Sequence, residues 1–435
     1  MSAPSRDTAA DPPGIGGRPG ATPAPSVTVA YRAAAVAGPL PIEEVAVRVF
    51  EAPLPDPVRM SFAALASRRA CVVEIRSGGL TGIGETWVNH PAWAWRERVA
   101  TLAEGVVPAL LGQDASAIGA IRRRLEERLL PLGRQWGAPG PVWQAISGVD
   151  MALWDLAGKA AGRPLADLLA GPPPGRRADP ARVAQEPPRR VPVYASGIGP
   201  DRVGELTERA LEQGFTALKL KIGFGAERDE EIVRTARTVA GDGVALFADA
   251  NQAWTVDEAV GMCARLRDLG VRWCEEPVDG NALADLERVH AATGLPLATG
   301  ENVYTLAAFA RYAASPAVAH IQPDTAKTGG VTTALEVARA AAAHGTGFTP
   351  HCYSGAVGLT AAAHVAAAGG AAWVELDVRD DPMRTDLALP APRARDGMLP
   401  VPSGPGLGLV IDEERVASRT IHVARWRHGG TGAAP

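Results

Sequence analysis

Lysine is scarce in this chain. Of the 44 lysines and arginines in 435 residues, only four are lysines: Lys159, Lys219, Lys221 and Lys327. Arginine serves a surface ion pair as well as lysine does, but its guanidinium keeps its proton near neutral pH, whereas an ammonium can release one. A rare lysine is therefore a candidate for a site that needs an amine. Two of the four lie in ALKLKIG (217–223), where strand alternation places them on one face.

Cysteine, long apolar runs and excess charge are also lacking. Four scattered cysteines form no CxxC pair, which excludes a disulfide framework and predicts buried free thiols in a reducing cytoplasm. No apolar run reaches the roughly 20 residues of a membrane-spanning helix. The net charge of −4, with no basic block, argues against nucleic-acid binding. The first residues lack the pattern of a secretory signal, so we expect a cytoplasmic protein.

Composition divides the chain into four segments. Residues 1–41, rich in Ala, Pro and Gly, predict a disordered tail. Residues 42–170 predict an α+β domain, in which two alternating strands and a turn at GGLTGIGET precede helices. Residues 171–190, rich in Pro and Arg, predict a linker.

From 191 to 384 strands and helices alternate regularly. Eight strand patterns occur, and each except the last is followed by a helical one. This rhythm predicts a (β/α)8 TIM-type barrel. The alternative, a doubly wound open sheet, requires a Gly-rich phosphate turn after its first strand, and ASGIGPDR is a poor one.

One polar group closes each barrel strand from the second onward. The residues follow one another at intervals of 23 to 28: Lys221, Asp249, Glu275, Glu301, Asp324, His351 and Glu375. Barrel enzymes carry their catalytic groups at these strand ends. The recurrence therefore predicts an active site there.

Two chemical subsets stand out at the strand ends. Asp249, Glu275 and Glu301 would repel one another, and a hard divalent cation would relieve this, which predicts Mg²⁺, with Mn²⁺ possible; ion pairs with some of the arginines are the structural alternative. Asp324 and His351 end adjacent strands, so the carboxylate can orient the imidazole and raise its basicity.

These motifs together resemble the mandelate racemase group of the enolase superfamily. The resemblance runs from about residue 42 to 425 and is carried by these segments: KLK (219–221), DAN (249–251), EEP (275–277), GEN (300–302), PDTAKTGG (323–330), PH (350–351), VELD (374–377) and AISGVDMALWDLAGK (145–159). It implies that residues 42–170, completed by about 385–425, cap the barrel and select the substrate.

The resemblance also implies a role for each group. The three carboxylates would bind Mg²⁺ and, through it, the carboxylate of a small-molecule substrate. Lys221 would be the base on one face of the substrate and His351, oriented by Asp324, the acid or base on the other. Lys219 would help to lower the pKa of Lys221, and a protonated Glu375 would donate a hydrogen bond to the enolate. The residues supporting the metal ligands would be Asn251, Glu276 and Asn302.

Several reactions fit such an enzyme. Dehydration of a sugar acid to a 2-keto-3-deoxy acid is favoured, with racemisation, epimerisation or cycloisomerisation as alternatives, and a catalytically silent binding protein as a remote one. We also expect a homo-oligomer. The candidate specificity residues lie in two cap loops and after the histidine: Arg59, Trp87, His90, Trp93, Cys352 and Tyr353.

Overall fold

The computed structural model describes residues 38–171 and 188–430. Most of the predicted tail and most of the predicted linker therefore lie outside the described residues. The last tail residues, Leu40 and Pro41, pair with Asp114: its carboxylate accepts the Leu40 N–H at 3.0 Å. At the other gap, strand β4 begins at Arg190, the last residue of the predicted linker.

The capping domain contains a four-stranded antiparallel sheet in the order β15-β1-β2-β3. Its strands are β1 (Glu44–Arg59), β2 (Ala64–Ser77), β3 (Leu80–Thr86) and β15 (Thr420–Arg427). Seven consecutive residues of β1 (Glu44 to Phe50) and four of β2 (Ala70 to Val73) are buried, so both faces of the sheet are covered here and not only the one that the alternating pattern predicts. Because β15 pairs with β1 from Glu44↔Arg427 onward, the end of the chain completes this sheet.

The predicted turn at GGLTGIGET is only partly a turn. Gly78 and Gly79 reverse the chain, but Leu80–Thr86 is strand β3. A Cβ on Gly82 would lie 2.1 Å from the Ala152 carbonyl oxygen, and one on Gly84 equally close to the Gly148 oxygen. These glycines let a helix cross the sheet in direct contact with the strand.

Helices cover one side of the capping sheet. They are α1 (Ala94–Ala100), a π-helical segment (Thr101–Val106), α2 (Val107–Leu110), α3 (Ile118–Gln135), α4 (Pro139–Ala161) and α5 (Leu165–Leu169). The crossing helix is α4, whose residues from Val142 to Gly158 are all buried.

Eight parallel strands form the barrel: β4 (Arg190–Ile198), β5 (Ala217–Lys221), β6 (Ala245–Asp249), β7 (Val271–Glu275), β8 (Leu297–Thr299), β9 (Val318–Ile321), β10 (Gly347–Phe348) and β11 (Val374–Asp377). They pair in the order β10-β9-β8-β7-β6-β5-β4-β11. The N–H groups of Ala372 and Glu375 close the ring on the carbonyls of Phe348 and Pro350, at 3.0 and 3.2 Å. The predicted (β/α)8 barrel is confirmed, and the open-sheet alternative is wrong.

A helix follows each barrel strand: α6 (Val203–Glu212), α7 (Ala226–Ala240), α8 (Val256–Asp268), α9 (Leu283–Thr293), α10 (Leu306–Ala313), α11 (Gly330–His344), α12 (Ala356–Gly369) and α13 (Pro382–Thr385). Beyond it lie the short elements β12 (Ala388–Leu389), β13 (Met398–Pro400), β14 (Val410–Ile411) and α14 (Glu413–Val416). No described helix is long and apolar enough to cross a membrane. All four cysteines are buried and unbonded, as predicted.

Aromatic side chains fill part of the barrel interior. Phe247 and Trp273, on adjacent strands, stack with their ring centroids 4.3 Å apart, and Tyr194 packs edge-on against both. All three are at most 1% exposed. They form a packed floor beneath the polar strand ends.

We expect Trp273→Ala to lower the free energy of unfolding by about 3–5 kcal/mol, because it leaves a cavity in this floor. Urea unfolding followed by far-ultraviolet circular dichroism measures the loss. Trp136→Ala is the matched control, since Trp136 is 58% exposed and its loss should change the value by under about 0.5 kcal/mol. Equal effects of the two substitutions would contradict the packing argument.

Candidate active site

The barrel strands bring the predicted polar groups to one end. Lys221, Asp249 and Glu275 are the last residues of β5, β6 and β7 and are register partners across the sheet. Asp324 and His351 lie just beyond β9 and β10 and form a parallel bridge with each other. Glu301 follows β8 by two residues, whereas Glu375 is the second residue of β11.

Lys219 joins three of the carboxylates. Its side chain is fully buried, and Nζ lies 2.8 Å from both Glu275 and Glu375 and 3.6 Å from Asp249. Burial alone would lower the pKa of Lys219, but the carboxylates of Glu275 and Glu375 outweigh it and raise the pKa well above its usual value. The charged form of Lys219 is therefore favoured, and its ammonium links Glu275 and Glu375.

Lys221 is the more accessible of the pair. Nζ donates to Asp249 at 2.5 Å and to Asn251 Oδ1 at 3.3 Å. Burial and the Lys219 charge lower its pKa, but the Asp249 carboxylate outweighs them, so the pKa is raised. Lys219 thus acts on the pKa of Lys221 in the expected direction, but its effect is weaker than that of Asp249.

The predicted metal ligands each have a lysine partner. Lys221 pairs with Asp249, Lys219 with Glu275, and Lys327 with Glu301 at 2.9 Å. Within the described ranges, no three His, Cys, Asp or Glu side chains are grouped closely enough to hold a metal ion. In this arrangement the carboxylates are directed at ammonium groups rather than at a common point.

The donor set nevertheless fits a hard divalent cation in kind. Oxygen Oε1 of Glu275 is buried and has no hydrogen-bond partner among the residues that the structure describes, while its Oε2 accepts from Lys219 and Gln322. Burial, followed by the negative charge of Asp249, raises the pKa of Glu275 to about 7. A buried carboxylate with an unused oxygen next to a second carboxylate is stabilised by added positive charge.

The predicted supporting residues contact this group. Glu276 accepts hydrogen bonds from Gln252 at 2.7 Å and from Asn302 at 2.8 Å, and burial raises its pKa to about 8. Asn302 also accepts from Lys327 at 2.7 Å. Lys327 lies within PDTAKTGG, but no role was assigned to it from the sequence. Its rarity as a lysine was the available signal.

The carboxylate of Asp324 orients the His351 ring. Nδ1 lies 2.7 Å from Asp324 Oδ2, which leaves Nε2 at 3.5 Å from Glu301 and 3.6 Å from Glu375. Burial would lower the pKa of His351, but the surrounding carboxylates, Glu301 first, raise it to about 9. The ring is thus an imidazolium with one proton directed at the carboxylates.

Glu375 differs from the expectation of a neutral donor. Although burial acts to raise it, the charges of Lys219, His351 and Lys221 lower its pKa to about 2. Its Oε1 already accepts from Ser196 at 2.5 Å and contacts Lys219. Glu375 is therefore an ionised hydrogen-bond acceptor in this structure.

A cavity of about 440 Å³ opens over these groups. Its lining comes from both domains: Met60, Phe62, Trp87, His90, Gln144, Lys221, Asn251, Gln252, Glu276, Glu301, Asn302, Tyr304, Lys327, His351 and Tyr353. Burial and nearby cations lower the pKa of His90 to about 4, so this ring is neutral. The cavity thus has charged groups from the barrel and uncharged side chains from the cap.

The candidate specificity residues divide into two sets. Trp87, His90 and Tyr353 line the cavity, whereas Arg59, Trp93 and Cys352 are not among its lining residues. The Arg59 side chain is 57% exposed and pairs with Asp201, and Trp93 is 64% exposed before α1. Cys352 is buried, with its N–H directed at Glu375.

Comparisons with known proteins agree with this geometry. The family described as "Mandelate racemase / muconate lactonizing enzyme, N-terminal domain" matches residues 44–170, and "Enolase C-terminal domain-like" matches residues 202–415. The 3,6-anhydro-alpha-L-galactonate cycloisomerase of Streptomyces coelicolor is 34% identical over 87% of this chain and 99% of its own length. The arabinonate dehydratase of Saccharolobus solfataricus is 31% identical over 77% and 86%.

A solved structure gives the same result. A racemase from Streptomyces coelicolor with bound magnesium superposes with a TM-score of 0.76 at 29% identity, covering 87% of this chain and all of that one. The relatives are enzymes of the lyase or isomerase type, and so is this protein, which removes the alternative of a silent barrel. The two matched domains cover both halves of the fold, and the chain belongs to the mandelate racemase/muconate lactonizing enzyme family of the enolase superfamily.

Proposed function

We propose that the protein removes the α-proton of a sugar acid and eliminates its 3-hydroxyl, giving a 2-keto-3-deoxy acid. One observation carries the proposal: Lys221 and His351 line the same cavity, and His351 presents Nε2 because Asp324 holds Nδ1. A base and an acid facing one substrate are what such an elimination requires.

Removal of the α-proton and protonation of the leaving group each have their own residue, whereas the later enol-to-keto step exchanges its two protons with solvent. Lys221, once deprotonated, takes the α-proton, and the carboxylate becomes an enediolate. His351 Nε2 gives its proton to the 3-hydroxyl, which leaves as water while the C2–C3 double bond forms. Protonation of this enol at C3 yields the keto acid. Lys219 keeps Glu275 and Glu375 in place throughout, because its ammonium contacts both at 2.8 Å.

We assign Mg²⁺ as the cofactor, held by Asp249, Glu275 and Glu301. When bound, the cation supplies positive charge beside the substrate carboxylate, where a second negative charge develops. The unused Glu275 oxygen and the bound magnesium of the related racemase support the assignment.

Addition of Mg²⁺ should raise the melting temperature by several degrees. Ligand at about 100 times its dissociation constant stabilises a folded protein by about 2.7 kcal/mol. Differential scanning fluorimetry with millimolar MgCl₂ measures the shift. Glu275→Gln should abolish it, whereas Glu230→Gln should retain it, because Glu230 pairs only with Arg234 and Arg265 on the surface. An unshifted wild-type protein would rule out the metal assignment.

Cycloisomerisation is the second candidate, and the similarity to the Streptomyces coelicolor cycloisomerase favours it. The same two residues would then open a ring whose oxygen is attached to C3, without loss of water.

Incubating a library of acid sugars and their anhydro and lactone forms in D₂O separates the candidates by mass. Water loss indicates a dehydratase, an isomeric product a cycloisomerase, and α-deuteration alone a racemase or epimerase. No reaction with any member would refute the proposal. The cytoplasmic location and the homo-oligomer stay predictions.

A further inference from the structure

The segment that follows His351 is held by the capping domain. Residues 352–355 connect His351 to α12, and three buried side chains of the cap contact this connection: Arg68, Glu85 and Asn89. Barrel residues alone thus do not fix the chain on the C-terminal side of His351.

Glu85 makes two of these contacts. It is the penultimate residue of β3, is 2% exposed, and accepts the N–H of Gly355 at 2.7 Å and of Gly358 at 2.9 Å, one on each oxygen. Gly355 permits this approach, because a Cβ there would lie only 3.2 Å from Glu85 Oε1. Both oxygens are thus used by the backbone at the start of α12.

Arg68 and Asn89 hold the other end of the connection. The Tyr353 carbonyl accepts from Asn89 Nδ2 at 2.7 Å and from Arg68 Nη2 at 3.0 Å. The Arg68 guanidinium also lies 3.6 Å from the centroid of the Tyr353 ring and pairs with Asp381. Tyr353 is two residues from His351, so these contacts limit where its backbone can move.

The same cap strand also holds the segment that follows Asp324. The N–H of Trp87, just after β3, donates to the Ala326 carbonyl at 3.0 Å, and the Ala326 N–H donates to Asp324 Oδ1 at 2.7 Å. The end of β3 therefore contacts both chain segments that present the imidazole and its carboxylate. A displacement of about 1 Å at a reacting group costs about 100-fold in rate.

We propose that Glu85 is a positioning residue that fixes the segment after His351, so that this cap side chain controls the acid step and leaves the Lys221 step alone. The inference rests on the proposed function, in which Lys221 removes the α-proton and His351 delivers a proton to the leaving group. Lys221 is the last residue of β5, and its Nζ contacts are with barrel residues. A substitution at Glu85 should therefore slow proton delivery by His351 and leave α-proton removal by Lys221 unchanged.

The test measures two rates on one sample of full-length protein with Mg²⁺, using a substrate found in the D₂O library whose α-proton faces Lys221. One rate is α-deuterium incorporation, and the other is product formation. Burial raises the pKa of Glu85 to about 7, so an assay at about pH 8 keeps the form that accepts both N–H groups. For Glu85→Gln we expect product formation to fall about 100-fold and exchange to stay within about threefold.

Two further variants make the result decisive. Asn89→Ala removes one of the two donors to the Tyr353 carbonyl, and we expect it to slow product formation about tenfold while leaving exchange unchanged. This variant tests the inference if Glu85→Gln does not fold. Glu74→Gln is the control, since Glu74 lies on the neighbouring strand and pairs with Arg48; both its rates should match the wild type. Parallel loss of both rates, or no loss, in the folded Glu85 or Asn89 variant overturns the inference. A wild-type protein that catalyses neither reaction overturns the proposed function instead, and the inference with it.

Discussion

Lys221→Met is expected to reduce both α-proton exchange and product formation by about 10⁴-fold, the upper range for losing a positioned base. Methionine fills a similar volume at the end of β5 but has no group that takes a proton. Exchange is the informative readout, because it follows proton removal without requiring the later steps. Mass spectrometry of substrate and product after incubation in D₂O measures both rates.

Two comparisons separate a base from a positive charge. Lys221→Arg retains the charge beside Asp249, but a guanidinium does not give up its proton near neutral pH, so we expect it to be as inactive as the methionine variant. Lys159→Met is the matched control: Lys159 contacts Asp155 and the Thr81 carbonyl in the cap, and the folded fraction should keep full activity. An active arginine variant would show that Lys221 acts only through its charge.

The positions of the site residues could be predicted because strand geometry sets them. In a barrel of parallel strands, one polar residue per βα unit converges at one end, so the intervals along the chain were enough to choose Asp249, Glu275 and Glu301. The pairing of Asp324 with His351 follows from the same geometry, because their strands are adjacent. These predictions required only the regular interval at which polar residues recur at the strand ends, and not the packing of side chains.

The ionisation states could not be predicted in the same way. Whether a buried Lys221 is amine or ammonium depends on the balance between desolvation and the distance to Asp249, and a sequence gives neither. Glu375 can donate to the enolate only if it is protonated, and its 2.8 Å contact with Lys219 lowers its pKa. The ionisation states of Lys221 and Glu375 each depend on a charged partner from another strand.

The cap loops were the least predictable part. Arg59 ends strand β1 and Trp93 directly precedes α1, and the sequence pattern does not tell which side chains near these positions face the barrel. Glu85 illustrates the opposite case: it is inside a strand, and its contacts with Gly355 and Gly358 lie about 270 residues away along the chain. Gly82 and Gly84 were taken for turn residues because the helix that crosses them is equally remote.

His351→Asn tests the other half of the mechanism. We expect product formation to fall about 10³-fold, within the range for losing a general acid, while α-deuterium exchange through Lys221 continues. Asparagine keeps a polar side chain beside Asp324 but has no proton to give to a leaving hydroxyl. The measurement is the same pair of rates, with a substrate whose α-proton faces Lys221.

The split between the two rates distinguishes His351 as acid from His351 as a structural residue. His320→Asn is the matched control, because His320 packs beside Trp273 and contacts Thr349 below the site, and both rates should follow the folded fraction. If His351→Asn lost exchange and product formation equally, His351 would be needed to remove the α-proton. The roles of base and acid assigned to Lys221 and His351 would then have to be exchanged. If the variant lost neither, the acid would have to be another cavity residue. The first candidate to test would then be Lys327, a cation of the described lining that lies 2.9 Å from Glu301.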